Sequence, residues 1–229
     1  MVIPCYLAMA REEIAQKTSL PEKCAWLSCR FSPEDKGITN LPPPLPSGSM
    51  IVLDDSLPPA GHDPALIARQ LAAIPGKSGI LLDFQRPGLA ENRRITRALA
   101  KDLPGPVCVS ELYADELDCP VFLPPAPPEQ PLGEYLKRWK GREIWLDAAL
   151  NATAVTVTAE GSRFEPAAPT PNAGKHRDEA LHCHYDILIQ DNEIRFTLLR
   201  TKEDLDDLLT EAAQLGVKAA VGLFQELGN

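Results

Sequence analysis

Short apolar runs, each closed by polar residues, recur along the chain and set its architecture. They are Ile3 to Met9, Ala25 to Phe31, Met50 to Asp54, Gly79 to Phe84, Val107 to Leu112, Pro120 to Leu123, Glu143 to Ala148 and Ala219 to Phe224. A strand covered on both faces reads as a continuous apolar run, because neither side of its pleat meets water. The pattern therefore predicts eight buried parallel strands. Between several of them the apolar period lengthens to that of a helix. Asp63-Pro64 supplies a cap followed by proline at the first helical position, and Ile67, Leu71 and Ile74 then share a face up to Gly76. Ile95, Leu99 and Leu103 mark a second helix before Pro104-Gly105, and Leu132, Tyr135, Leu136 and Trp139 a third, closed by Gly141. The clearest begins at Thr201, with Asp204 placed to reach back, and runs through Leu205, Leu208, Leu209 and Ala212 to Gly216.

The rhythm breaks once. Val155 and Val157 alternate with Thr156 and Thr158 ahead of Gly161, and two runs, Asp186 to Gln190 and Glu193 to Leu199, flank the tight-turn dipeptide Asp191-Asn192. Residues 151–200 are thus predicted to form an antiparallel insert before the last helix and strand, with 166–179 as a loose loop inside it. The whole, residues 1–229, reads as a single α/β domain, a small irregular (β/α)8 barrel of the TIM type. The irregularity lies between Val107 and Leu123, where the helical pattern is weak. An open doubly wound sheet is the second architecture, but no glycine-rich turn follows the first strand.

Composition narrows the classes of function. At 229 residues and 44% apolar content the chain can bury a sizeable core. A net charge of −9 disfavours nucleic acid and anionic membrane as partners, since phosphate binding needs clustered Lys and Arg. The stretch from Met1 lacks the cationic start and long apolar core of a secretory signal, and the six cysteines (5, 24, 29, 108, 119 and 183) show no C-x-x-C spacing. The expectation is a reduced, cytoplasmic protein without cofactor or metal. His182-Cys183-His184 would place two imidazoles on one face of a strand, as zinc requires, yet the charged stretch His176 to Glu179 beside it suits the solvated start of a strand better. No G-x-S-x-G and no phosphate-binding loop occurs. Trp26 and Trp145 fall mid-strand and are expected in the core.

In a barrel, chemistry belongs at the C-terminal ends of the strands. Those ends carry Arg30, Asp54 with Asp55, Asp83 and Gln85, Ser110 with Glu111, Asp147, and Gln225 with Glu226. Residues two apart on a strand share a face, so Leu81, Asp83 and Gln85 point the same way. The candidate substrate-binding set is Asp54, Asp83, Gln85, Glu111, Asp147, Gln225 and Glu226. So many acid and amide groups at one mouth suit an oligosaccharide or another polyol.

Gly79-Ile80-Leu81-Leu82-Asp83-Phe84-Gln85 resembles the signature fourth strand of the family-18 glycoside hydrolases, the chitinase-like barrels. His184-Tyr185-Asp186-Ile187, the strand Ile194 to Leu198, the capped helix from Lys202, Gly216-Val217 and Glu226-Leu227-Gly228 resemble the closing segment of that family. The resemblance implies that the aspartate at position 83 orients the substrate's own acetamido group for attack on the anomeric carbon. It also implies that the residue at position 85 protonates the glycosidic oxygen. Here that residue is Gln85, and an amide cannot donate a proton as a carboxylic acid does. Leu81 replaces the earlier acidic residue, the sixth run Pro120 to Pro124 lacks the family's Tyr-Asp pair, and the final strand lacks a tryptophan. The expectation is a degenerate barrel that binds carbohydrate without efficient hydrolysis. Two further classes stay open: an active hydrolase with relocated carboxylates (Glu111, Asp147, Glu226), and a non-catalytic, structural or partner-binding barrel. The sequence leaves the oligomeric state undetermined.

Overall fold

The computed structural model describes residues 3–115, 117–168, 174–190 and 192–228. Two compact units are distinguished, one of residues 4–124, 142–147 and from 218 onward, the other of residues 125–141 and 148–217.

The first unit holds the parallel sheet. Its strands are β1 (Cys5–Met9), β2 (Cys24–Phe31), β3 (Ile38–Thr39), β4 (Met50–Asp54), β5 (Gly79–Asp83), β6 (Val107–Ser110), β7 (Val121–Leu123), β8 (Ile144–Asp147) and, at the end of the chain, β14 (Ala219–Leu223). The order is β1-β14-β8-β7-β6-β5-β4-β2-β3, and a parallel pairing of β1 with β2 closes the ring. All eight apolar runs are thus strands of a closed eight-stranded parallel barrel, the expected TIM-type fold. The short β3 pairs antiparallel to β2 outside the ring. The helices are α1 (Arg11–Ala15), α2 (Pro64–Ala72), α3 (Ala90–Asp102) and the closing turn α6 (Phe224–Leu227). Asp63 caps α2 by accepting from Ala65 N at 3.0 Å, as its place before Pro64 predicts. The irregular stretch after β6 contains a 3-10 turn, Glu111–Tyr113, so the run from Val107 stops being a strand at Ser110.

Alternation along the strands divides two cores. Met50, Val52, Leu81, Cys108, Phe122 and Trp145 fill the barrel interior, where Tyr6 stacks on Trp145 at 5.8 Å. Ile51, Leu53, Ile80, Leu82 and Val109 point outward and pack on Ile67 and Leu71 of α2 and Ile95 and Leu99 of α3. Trp26 and Trp145 are both buried.

The second unit carries α4 (Leu132–Leu136), followed by a 3-10 turn (Lys137–Trp139), and α5 (Lys202–Gln214). Its antiparallel sheet contains β9 (Ala152–Thr158), β10 (Gly161–Pro166), β11 (His176–Asp178), β12 (Cys183–Gln190) and β13 (Glu193–Leu199), in the order β10-β9-β13-β12-β11. The expected insert is present. The reading of 166–179 as loop is corrected at both ends, since Pro166 completes β10 and His176–Asp178 form β11. Residues 169–173, and Asp191 of the expected tight turn, lie outside the described residues.

The cap of α5 is fully made. Thr201 Oγ1 accepts from Asp204 N at 3.2 Å, while the Asp204 carboxylate accepts from Thr201 N at 2.9 Å, His184 Nδ1 at 2.7 Å and Arg177 Nε at 3.2 Å. Burial acts to raise Asp204, but the bonds from Thr201, His184 and Arg177 outweigh it and hold the carboxyl below its ordinary range. His182 pairs with Glu211 at 2.6 Å, so the two imidazoles expected on one face each bind a carboxylate of α5. Among the described residues no group of three or more His, Cys, Asp or Glu is arranged to hold a metal ion, and no helix is long and apolar enough to cross a membrane.

Candidate functional site

Three aspartates arrive at the barrel mouth by parity. Val52, Leu81 and Trp145 face the interior, and the residues two further on, Asp54, Asp83 and Asp147, continue those inward rows at the C-terminal ends of β4, β5 and β8. Asp54 and Asp83 are register partners on adjacent strands. Arg30, at the end of β2, balances one side of the group through an ion pair of its Nε with Asp54 at 3.2 Å.

The charges of these carboxyls reach one another. Burial raises Asp83 above its ordinary value, and Asp54 and Asp55 add to that shift while a hydrogen bond from Gln85 opposes it. Burial also pushes Asp147 up to about 7, with the Asp83 and Glu226 charges adding to the effect. Glu226 lies half-buried on α6, past the end of β14, whereas Gln225 beside it is exposed. Asp54, Asp83, Asp147 and Glu226 therefore form one coupled acidic set. Glu111 stands apart from that set: half-buried, it opens the 3-10 turn after β6, and its main-chain oxygen accepts from Ala114 N at 3.4 Å.

Gln85 is exposed, and its side-chain amide donates to Asp83 Oδ1. The sequence places Asp83 and Gln85 on one strand face, but β5 ends at Asp83, and Gln85 reaches it from the segment that follows. Past that point the main chain leaves the ladder for other partners. Asp55 Oδ1 accepts from Gln85 N at 2.9 Å, and Asp55 Oδ2 accepts from Arg86 N at 3.1 Å and Asn92 Nδ2 at 2.7 Å. Ser110 Oγ donates to Phe84 O at 2.7 Å, and the Tyr113 hydroxyl donates to Arg86 O. The segment Phe84 to Arg86 is held at four main-chain atoms, with Phe84 buried, the Arg86 guanidinium donating to Asp55 O and Ser56 O, and the Gln85 side chain turned to Asp83.

Asp55, Asn92 and Tyr113 are positioning residues outside the candidate set, and of these the sequence noted only Asp55, at a strand end. Asp55 carried a signal, since neighbouring strand residues face opposite ways and only one of the Asp54-Asp55 pair enters the mouth. Asn92 and Tyr113 carried none, because only the folded chain brings α3 and the 3-10 turn to the loop. A cavity of about 460 Å³ opens between the loops that follow β2 and β4, with Glu34, Lys36, Leu57 and His62 in its lining.

No protein-family model and no curated protein matches the chain. Solved structures do. The spore cortex-lytic enzyme SleL of Bacillus megaterium QM B1551 is similar with a TM-score of 0.54 at 10% identity, over 96% of this chain and 70% of that one. SleL of Bacillus cereus gives 0.54 at 11% identity over the same shares. A glutamate-to-glutamine mutant of the class V chitinase of Nicotiana tobaccum, in complex with NAG4, gives 0.54 at 10% identity over 97% of this chain and 93% of that one. These are barrels of the family-18 type. At such identities the likeness is one of fold, and the resemblance found on the fourth strand holds at that level.

Proposed function

We propose that this family-18-type barrel is a degenerate glycoside hydrolase relative that binds an N-acetylated oligosaccharide at its mouth without efficient hydrolysis. The observation that carries the reading is Gln85, an amide where the resembled family has its proton donor, hydrogen-bonded to Asp83 and fixed in place through Asp55. Asp83 and Gln85 together offer an acceptor pair and an N–H donor suited to hydroxyl and acetamido groups. Asp54, Asp147 and Glu226 would add carboxylates at the mouth, with Gln225 and Glu111 as outlying contacts. Removing a general acid costs on the order of 10²–10⁴ in rate for the step it serves. A similar barrel carrying a glutamate-to-glutamine change holds NAG4, so an amide within this fold is compatible with a bound oligosaccharide. Cysteines scattered through the buried strands without a disulfide pattern suit a reducing compartment, and a cytoplasmic location is part of this proposal.

One observation favours a second reading. Burial pushes Asp147 up to about 7, which keeps a carboxylic acid at the mouth close to neutral pH, able to protonate a leaving group. In that reading catalysis has moved to Asp147, with Glu226 or Glu111 as partner.

Isothermal titration with NAG4, followed by prolonged incubation and product analysis, separates the readings. Binding without products, lost in Asp83→Ala, is the expected result, and Gln85→Glu is expected to bind and to release shorter oligomers slowly. Products from the wild type that vanish in Asp147→Asn would establish the second reading. Neither binding nor products would leave a structural or partner-binding barrel.

A further inference from the structure

The antiparallel sheet of the second unit carries two adjacent cross-strand rows without charge on one face, whose charged member, Asp178, sits on β11 opposite Cys183. Register places Phe164, Val155, Phe196 and Ile187 in one cross-strand row, and Ser162, Val157, Ile194 and Ile189 in the next. Neither row contains an Asp, Glu, Lys or Arg. The charged residues of the intervening positions, Arg163, Glu165, Asp186 and Arg195, all fall on the opposite face. The uncharged rows are open to solvent: Phe164 is 55% exposed, Ile187 45%, Ile189 72% and Ile194 37%. Scattered exposed apolar side chains need no explanation, but two contiguous rows of them do.

We infer that this face is where two copies of the chain pack, sheet against sheet, about a two-fold axis. Two arguments select a second copy as the occupant. The first is extent. Phe164, Ile187, Ile189 and Ile194 stand 37–72% exposed in two adjacent rows that span four strands, a contiguous apolar patch of the kind that forms the core of a homodimer interface of about 800 Å² per partner. The second is charge. Each copy carries a net charge of −9, so most of the surface repels its own kind, whereas the two rows over β10, β9, β13 and β12 hold no charged side chain to oppose its copy. A two-fold contact joins a patch to itself, and an uncharged pair of rows is complementary to itself. Sheets pack in this way about 10 Å apart with their side chains interdigitated.

Sedimentation equilibrium of the full chain over about 1–200 µM tests the proposal, with a dissociation constant of micromolar or tighter expected. The expected result is a mass rising to twice that of one chain. Ile189→Lys, and independently Phe164→Ser, should weaken association at least tenfold while leaving the far-ultraviolet circular dichroism unchanged. Leu188→Lys is the control, since Leu188 is 50% exposed but pairs with Arg195 on the opposite face, and this variant should dimerise as the wild type does. A wild type that remains monomeric to the highest concentration overturns the proposal. So does Leu188→Lys weakening association as much as the other two.

Discussion

Asp147 keeps its proton near neutrality because it is buried at the end of a barrel strand and faces two further carboxylates, Asp83 and Glu226. In the unfolded chain an aspartate titrates near ~3.9, so the folded state binds this proton more tightly. Below that value both states are protonated and the site costs nothing. Between there and pH ~7 the unfolded chain ionises while the folded chain does not, and stability falls by about 1.4 kcal/mol per pH unit, on the order of 3–4 kcal/mol in all. Asp147→Asn removes this dependence. Urea unfolding of the two proteins should show the variant gaining on the wild type steadily between pH 4 and pH 7, whereas a constant difference across that window would contradict the assigned burial. The three inward aspartates were legible from strand parity alone. Their mutual effect was not, because burial and cross-barrel charge are properties of the closed ring.

Elements became legible wherever their physics is local. The barrel strands are covered on both faces and so appear as unbroken apolar runs, and α5 announces itself through Thr201 and Asp204. The elements that escaped have nothing local to show. α1 is a helix of five residues with none buried, β3 has two residues, and β10 is exposed along its whole length. The segment after β5 belongs with these. Its shape is imposed by Asp55, Ser110 and Tyr113, which come from other strands and turns. Asp55→Ala should therefore destabilise the protein by about 2–4 kcal/mol, because it leaves two main-chain N–H groups and the Asn92 amide without their acceptor. The same variant should weaken NAG4 binding through the displaced Gln85, although Asp55 makes no contact with sugar in the proposed site. Unfolding midpoints and titration calorimetry measure the two effects separately.

At the scale of the whole molecule, charge and the uncharged rows of the antiparallel sheet act against each other. Self-repulsion between acidic copies is long-ranged and is screened within about 10 Å at 0.1 M salt and about 3 Å at 1 M, whereas apolar burial does not weaken with added salt. Dimerisation should accordingly tighten as sodium chloride is raised from about 0.05 to 0.5 M, by roughly tenfold, the reverse of an interface held by opposite charges. Sedimentation at the two salt concentrations checks the direction.

The four-point anchorage of Phe84 to Arg86 has a consequence for how this protein changes over time. With its backbone fixed from elsewhere, position 85 can exchange an amide for a carboxylic acid without moving the main chain, the change being felt at Asp83, which loses an N–H donor and gains a carboxyl neighbour. Glutamine and glutamate codons differ by a single base. Heredity can therefore toggle the chemical character of this spot while the main chain around it stays as it is, so that, on the proposed reading, an amide and a proton donor at the mouth are neighbouring genotypes rather than distant ones.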